Sequence, residues 1–558
     1  MALLRQYYTN FSSGELSPLL SSRIDSEAYR NGANQLRNVR IRAQGGVTRR
    51  PGLRYLQTLS NVTYQAEPFV YDEDEAYIIL FSSNRIDVVN ASSPTTIATS
   101  ITSSVPWTSQ VGELTVAQAG DTMFVTHPDL VTQKIIRTGA NTFSISPFTF
   151  DADGGMSYQP YYKFATPSIT ITPSGTSGSG ITLTASSSAF VSAHNGTYIR
   201  LVDDAGTVRH ALITGYTSGT AVTATLSGAI ANTNAISNWS EQVFSATRGY
   251  ARTVTFHDQR LIFGGSRDLP NFLFMSKSAV FTNFDVGTGL DDESIQVQIA
   301  ENQVSEIKSL GSLKHLTIFT SEQELYAPTS ENKPLTPSTI AIKKQTSFGS
   351  GSVQPTDFDG ALVYLTKSKG AIREFIYSDL SQSYNSDALT ILSPHILGTP
   401  VGMTAQRESS DQVEGYLYAV NSDGHMPVFM SIRKEKLQGW TRYETNGSFK
   451  NVVNSNRKIY CIVERTINSS TVTSLELLDN SYYLDMASQQ SGGSSNTWTA
   501  SHLPNTQVYV KSGNYSLGQY TTNGSGVVTL TESVTSVEIG LNYTPTIETL
   551  PPEFQLDD

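Results

Sequence analysis

Short apolar runs recur along this chain, each bounded by Gly, Asn, Asp, Ser or Pro, and they come in pairs. The pairs are 76–81 with 85–89 across Ser82-Ser83-Asn84, 122–126 with 134–137 across a turn holding Pro128 and Asp129, and 260–263 with 272–275 across Gly264-Gly265-Ser266. They continue as 316–320 with 324–326, 361–365 with 371–377, 416–420 with 426–433 across Ser422-Asp423-Gly424, and 459–464 with 471–478. Runs of this length between turn-forming residues predict strands. The first members begin near 76, 122, 260, 316, 361, 416 and 459, so the steps are 46, 138, 56, 45, 55 and 43. A repeat of roughly 40–50 residues made of a few short strands is the spacing of propeller blades, and removing about 90 residues from the long step restores it. The expected fold is all-β: a β-propeller of about seven blades with an inserted small β-sandwich or barrel domain and a C-terminal small β domain.

The boundaries follow changes in composition. Residues 1–60 are an Arg-rich N-terminal segment, 61–157 the first part of the propeller, 158–247 the inserted β domain, 248–480 the second part of the propeller and 481–558 the C-terminal β domain. The insertion opens on the Ser/Gly/Thr run 174–180 and has a hairpin turn at Asp203-Asp204-Ala205-Gly206. The low-complexity stretch Ser488-Gln489-Gln490-Ser491-Gly492-Gly493-Ser494-Ser495 reads as a loop or linker, and Thr549-Leu550-Pro551-Pro552 as an extended tail.

Composition narrows the function classes. Of 558 residues 16% are charged and 38% hydrophobic, too apolar a mix for a disordered chain. No apolar stretch is long enough to span a membrane as a helix, and the first nine residues carry no secretion-signal pattern. The single cysteine, Cys461, excludes a disulfide framework and alternates with Ile459 and Val463 as a core residue. The net charge of −11 argues against a protein that grips DNA over most of its surface.

The charge is unevenly placed. Residues 1–55 hold nine Arg (Arg5, Arg23, Arg30, Arg37, Arg40, Arg42, Arg49, Arg50 and Arg54), no Lys and three acids, a balance of +6 that leaves −17 on the rest. Arg without Lys favours fixed, forked contacts to carboxylates or carbonyls. Two readings follow from the residues: a segment that docks on an acidic surface such as a neighbouring copy, or an ordinary solvated edge.

Catalytic and metal chemistry find little footing. The acidic groups Asp72-Glu73-Asp74-Glu75, Asp203-Asp204 and Asp291-Asp292-Glu293 are sequence neighbours, which on a strand point to opposite faces and do not confront each other across a cleft. No Asp-x-Asp-x-Asp-Gly loop, His ligand spacing, nucleophile elbow or phosphate-binding loop occurs. His257-Asp258 precedes Arg260, and the expected role of Arg260 is a blade-locking pair with Asp258 or Asp291. The chain is expected to be no enzyme, with no cofactor and no metal.

Several segments stand out together: Phe11-Ser12-Ser13-Gly14-Glu15-Leu16-Ser17-Pro18, Asp25, Tyr29, Leu36-Arg37-Asn38 and Gln44-Gly45-Gly46-Val47-Thr48-Arg49-Arg50-Pro51-Gly52. Further on come Asp121 to Pro128, Thr255 to Ser266 with Asp291-Asp292, and Asn421-Ser422-Asp423-Gly424 followed by Trp440. In combination they resemble the tail tubular protein B family, the nozzle proteins of short-tailed phages. The resemblance implies a structural protein of the virion tail, assembled in the host cytoplasm as a homohexameric ring beneath a tail adaptor protein. Such a ring offers docking surfaces to tail fibre proteins and encloses a channel through which double-stranded DNA passes without sequence-specific binding. It makes Arg37, Arg40, Gln44, Gly45, Gly46, Arg49, Arg50, Pro51 and Arg54 the candidates for assembly and docking. Six copies at −11 each carry −66, a balance suited to a conduit through which an anionic polymer slides. The competing expectation is a receptor-binding or polysaccharide-degrading tail component, with sugar held by the Ser/Thr/Gly-rich insertion.

Overall fold

A computed structural model describes residues 8–300, 304–329, 334–407 and 413–551. Arg5 and Pro552 lie outside the described residues. The chain forms two compact units, one of Met1–Gly112, Thr138–Phe143 and Gly351–Asp558, the other of Glu113–Arg137 and Ser144–Ser350. Both are built of antiparallel four-stranded meanders, so the protein is all-β with propeller-like sheets.

In the second unit lie the sheets Thr253–His257, Arg260–Gly264, Phe272–Met275, Ile295–Gln298 and Ile307–Ser312, Leu316–Thr320, Glu324–Ala327, Lys343–Thr346, with most of Thr115–Ala119, Thr122–His127, Leu130–Gly139, Thr142–Pro147. The first unit holds Gln65–Val70, Ala76–Ser82, Arg85–Asn90, Ile97–Ile101 and Thr356–Phe358, Ala361–Leu365, Ile372–Ser378, Ser383–Ala388. It also holds two larger sheets that begin with the same meander: Pro400–Gln406, Gly415–Asn421, Met426–Ile432, Leu437–Tyr443, and Ser448–Ser455, Lys458–Ile467, Ser470–Asp479, Gly52–Leu59. In each of these seven meanders the second strand is the first member of an apolar pair read from the sequence.

Those second strands are continuously apolar because both of their faces are covered, as in a sheet buried between layers. Tyr416, Tyr418 and Val420 face one core, shared with Phe449, Ile459, Cys461 and Val463. Leu417 and Ala419 between them face another, shared with Val363, Leu365 and Ile372 of the preceding sheet. Tyr460 and Ile462 in turn pack on Ile78 and Leu80. The same alternation operates in the second unit, where Leu261 and Phe263 join an aromatic core with Phe124 and Phe148 while Ile262 joins Leu316 and Ile318. The outer strand Lys343–Thr346, by contrast, is polar and largely exposed.

The insertion is one seven-stranded sheet, ordered Tyr161–Tyr162, Asn238–Gln242, Tyr198–Val202, Val208–Ser218, Ala221–Leu226, Ile181–Ala185, Ile171–Pro173. An isolated bridge from Ile171 to Ile236 brings its last strand back toward its start, curling the sheet around Leu183, Ile199, Leu201, Ile213 and Trp239.

Three sequence readings need correction. The N-terminal segment 1–60, read as a docking segment or solvated edge of its own, is woven into two sheets: Gly14–Glu15 and Gly32–Arg37 extend the sheet of Pro400–Gln406, and Gly52–Leu59 completes the meander begun at Ser448–Ser455. The C-terminal strands are not a separate sheet either, because Asp485–Thr499 joins Gly52–Leu59 through the parallel pair Ala487 and Arg54, and Thr546–Thr549 returns to Gly32–Arg37. Residues 488–495 are no linker but lie inside the strand Asp485–Thr499, paired with Val527–Leu541 across register shifts near Ser491 and Ser495.

Candidate functional site

Of the segments singled out by the resemblance, 11–18, 36–38, 44–52 and the strand that holds Trp440 meet in the first unit, while 121–128, 255–266 and 291–292 lie in the second. Gly14 lies directly against the backbone of Trp440, and Gly439 against the backbone of Gly14. A Cβ on Gly14 would sit 2.3 Å from the Trp440 nitrogen, and the residue has φ +71°, so only glycine admits this contact. The next residue, Glu15, is 1% exposed and accepts from Arg37 Nη1, from the Leu36 amide at 2.8 Å and from His395 Nε2 at 3.0 Å. Arg37 also pairs with Glu444 at 3.3 Å, and Glu444 with Arg442 at 2.7 Å.

The next segment is a hairpin, Val39–Ile41 paired with Val47–Arg49. Gly45, at φ +86°, makes its turn and accepts from the Phe11 amide at 2.7 Å. Gln44 and Gly46 are exposed at the tip. Arg40 is buried over the Tyr416 ring, 4.8 Å from its centroid. Arg49 is half-buried; its Nη1 donates to the carbonyls of Tyr482 and Arg50 and to the Tyr543 hydroxyl, and its guanidinium lies 3.5 Å from the Tyr483 ring centroid. Arg54 is half-buried in its strand, 6.0 Å from the Tyr482 ring centroid.

Arg50 is fully buried and all five of its N–H donors are used. Nε donates to Asn38 Oδ1 at 2.9 Å, Nη1 to Asp485 at 2.8 Å and the Pro51 carbonyl at 2.9 Å, and Nη2 to Asp485 at 2.6 Å and the Glu444 carbonyl at 3.0 Å. Asp485 also accepts from Thr445 Oγ1 at 2.6 Å, and Thr445 Oγ1 in turn accepts from Arg465 at 2.7 Å. Arg465 forms a second buried forked pair with Glu476, at 2.9 and 2.8 Å. Arg50 therefore locks the fold from within. Its guanidinium has no donor left for an outside surface, which reverses the docking reading for this residue. Burial raises the Cys461 thiol pKa above its ordinary value, so that group rests as an inert core residue nearby.

Beside this network opens a cavity of about 400 Å³ whose polar wall includes Arg37, Asn38, Arg442, Glu444 and Tyr543. Arg37 and Arg442 in its wall both pair with Glu444. The site holds chain segments together and presents a polar mouth.

In the second unit, Arg260 closes its own sheet, though not through an acid side chain. Nη1 donates to the carbonyls of Ser276 and Glu293 at 2.7 and 2.6 Å, and Nη2 to the Asp291 carbonyl at 2.8 Å. The backbone of Asp291, not its exposed carboxylate, is the partner, because the guanidinium is buried where only main chain reaches it. Asp258 forms the hairpin turn with Gln259, at φ +46° and +59°, the type I′ geometry Asp tolerates. His257 Nδ1 is 2.8 Å from Ser312 Oγ, and burial lowers the imidazole pKa. The Asp258 carboxylate lies 3.8 Å from Nε2, outside hydrogen-bond reach, so the three do not form a nucleophile–base–orienter chain. Among the described residues no three His, Cys, Asp or Glu side chains gather as a metal site, and no helix is long and apolar enough to cross a membrane.

Glu15 carries a pH signature. Burial pushes its pKa up, but the donors His395, Arg37 and the Leu36 amide outweigh it and hold the carboxyl below its ordinary 4.5. A depressed carboxylate stabilises the fold above its unfolded pKa and loses that contribution as pH falls through the folded value. The amide-exchange protection factors of residues 32–37 should therefore fall as the pH drops below 4.5 in the native protein. Glu15→Gln should exchange fast already at pH 7 and respond less to acid.

No family model and no curated protein matches the chain. Solved structures similar to it include Sqt1 of Saccharomyces cerevisiae, at 9% identity over 76% of this chain and 99% of that one, with a TM-score of 0.37. Another is BBS1N in complex with ARL6DN, at 9% identity over 78% of this chain and 99% of that one, TM-score 0.35. A third is apo AztD from Citrobacter koseri, at 10% identity over 73% and 92%, TM-score 0.34.

Proposed function

We propose that this chain is a structural nozzle subunit of a short-tailed phage, a β-propeller of seven blades with an inserted β domain. Six copies form a ring around the path of DNA ejection, below a tail adaptor and beside tail fibres. The observation that carries the reading is the convergence described above: segments 11–18, 36–38 and 44–52 meet the distant Trp440 and Asp485 in one locked site. Its charges hold N-terminal and C-terminal segments of the chain together, as a permanent structural part requires. It leaves Gln44 and Gly46 at the surface for a partner.

The test is size and position. A purified assembly of about 360 kDa, six times 60.7 kDa, and a ring on the tail axis in an electron-microscopic map are the expected results. A subunit that stays at 60.7 kDa at tail-assembly concentrations, or a trimer that cleaves polysaccharide, would overturn the reading.

A further inference from the structure

The C-terminal strands Asp485–Thr499, Val527–Leu541, Gln507–Ser512 and Tyr515–Thr521 have one face on a core of Val508, Val510, Val528, Val537 and Ile539. Their opposite face carries a row in register: Gln489 is paired with Glu538, Glu538 with Lys511, and Lys511 with Ser516. Two cavities open along this row, about 280 and 300 Å³, and Lys511 lines both. The first is walled by Tyr483, Tyr509, Asn514 and Ser516. The second is walled by Gln489, Gln490, Ser491 and Ser536.

The charges here are unequal in how far they are spent. Glu538 is 3% exposed and accepts from the amides of Tyr483 and Leu484 at 2.6 and 2.8 Å and from Gln489 Nε2 at 3.3 Å. The Lys511 ammonium is 3.9 Å from that carboxylate and 3.9 Å from the Tyr483 ring centroid, and among the described residues no acceptor lies within hydrogen-bond distance of it. Its side chain is only 21% exposed. The ammonium is thus held by one long ion pair and one tyrosine face, with its donors open to a ligand, at the wall between an aromatic cavity and an amide-lined one. With Arg49 over the same tyrosine ring, the local balance is positive.

We propose that this face binds an acidic oligosaccharide. A pyranose ring offers an apolar C–H face to tyrosine rings and hydroxyls that both donate and accept, which Asn, Gln and Ser side chains answer in kind. Lys511 takes the sugar carboxylate. A polynucleotide would instead need a series of cations along its backbone, and the row holds one, itself beside Glu538. The site stands apart from the nozzle reading and does not depend on ring formation.

The test is calorimetric titration of the full chain with tri-galacturonate and with maltotriose, an uncharged trisaccharide. The expected result is a Kd below about 1 mM for tri-galacturonate and at least about tenfold weaker binding of maltotriose. Lys511→Met, which keeps the stem over Tyr483, should weaken tri-galacturonate about tenfold and leave maltotriose unchanged. Lys511→Gln serves if the first variant fails to give a native circular-dichroism spectrum. Absence of tri-galacturonate binding, equal binding of the two sugars, or unchanged affinity in a folded Lys511 variant overturns the proposal.

Discussion

Arg50→Ala should cost about 3–5 kcal/mol, the price of leaving one member of a buried ion pair alone. The residue is fully buried, and its removal strands Asp485, which is equally buried, as well as Asn38 and two carbonyls. The effect is read as a lowered urea midpoint by tryptophan fluorescence. Asp485→Ala should behave alike, and the double variant should lose much less than the sum of the two, because neither charge then remains uncompensated. Arg49→Ala is the contrast: among the described residues Arg49 has carbonyl, hydroxyl and ring partners but no carboxylate, so its loss should be milder. A cost for Arg50→Ala under about 1 kcal/mol, the range of a solvated pair, would show that the network is not sealed from water.

Gly14→Ala should detach the first strand. The added carbon would sit 2.3 Å from the Trp440 nitrogen and 2.6 Å from its carbonyl oxygen, both backbone atoms of a central sheet strand that cannot turn aside. To this is added the penalty of about 1–2 kcal/mol for a side chain at positive φ and about 1–3 kcal/mol for overpacking. Limited proteolysis should then cut within residues 8–30, and Glu15 should lose its place beside Arg37 and His395. Gly46→Ala is the control, since nothing lies within 4 Å of its Cβ position and its φ is ordinary. Equal protease resistance of the two variants would mean that the strand is not held by the Trp440 contact.

The residue pattern was most legible where side chains alternate between two covered faces. Strand Gly415–Asn421 announces itself because Tyr416, Leu417, Tyr418 and Ala419 must all avoid water whichever way they point. The choice of Arg over Lys near the N-terminus was also meaningful, since forked contacts to Asp485, Glu15 and backbone carbonyls are what Arg37, Arg49 and Arg50 make. Their partners were not legible: Asp485 is 435 residues from Arg50, and nothing local marks it. The partner of Arg260 was misread for a related reason. Sequence shows side chains, and the guanidinium found carbonyls.

Residues 488–495 mark the boundary most clearly. Ser, Gln and Gly have little strand preference of their own. They extend because Val527–Leu541 pairs along them, and because Met486 and Trp498 at either end are drawn into the C-terminal core.

By itself, then, the sequence determined the periodic β character, the place of the insertion and the unusual chemistry of the N-terminal segment, since each is written in the hydrophobic alternation or residue type of a contiguous stretch. Only the tertiary structure decided which arginine is sealed inside, that the two ends of the chain complete each other's sheets, and that Lys511 stands between two cavities. Those outcomes depend on burial and on pairing across hundreds of residues, and desolvation is a property of the folded surroundings that no local stretch of sequence carries.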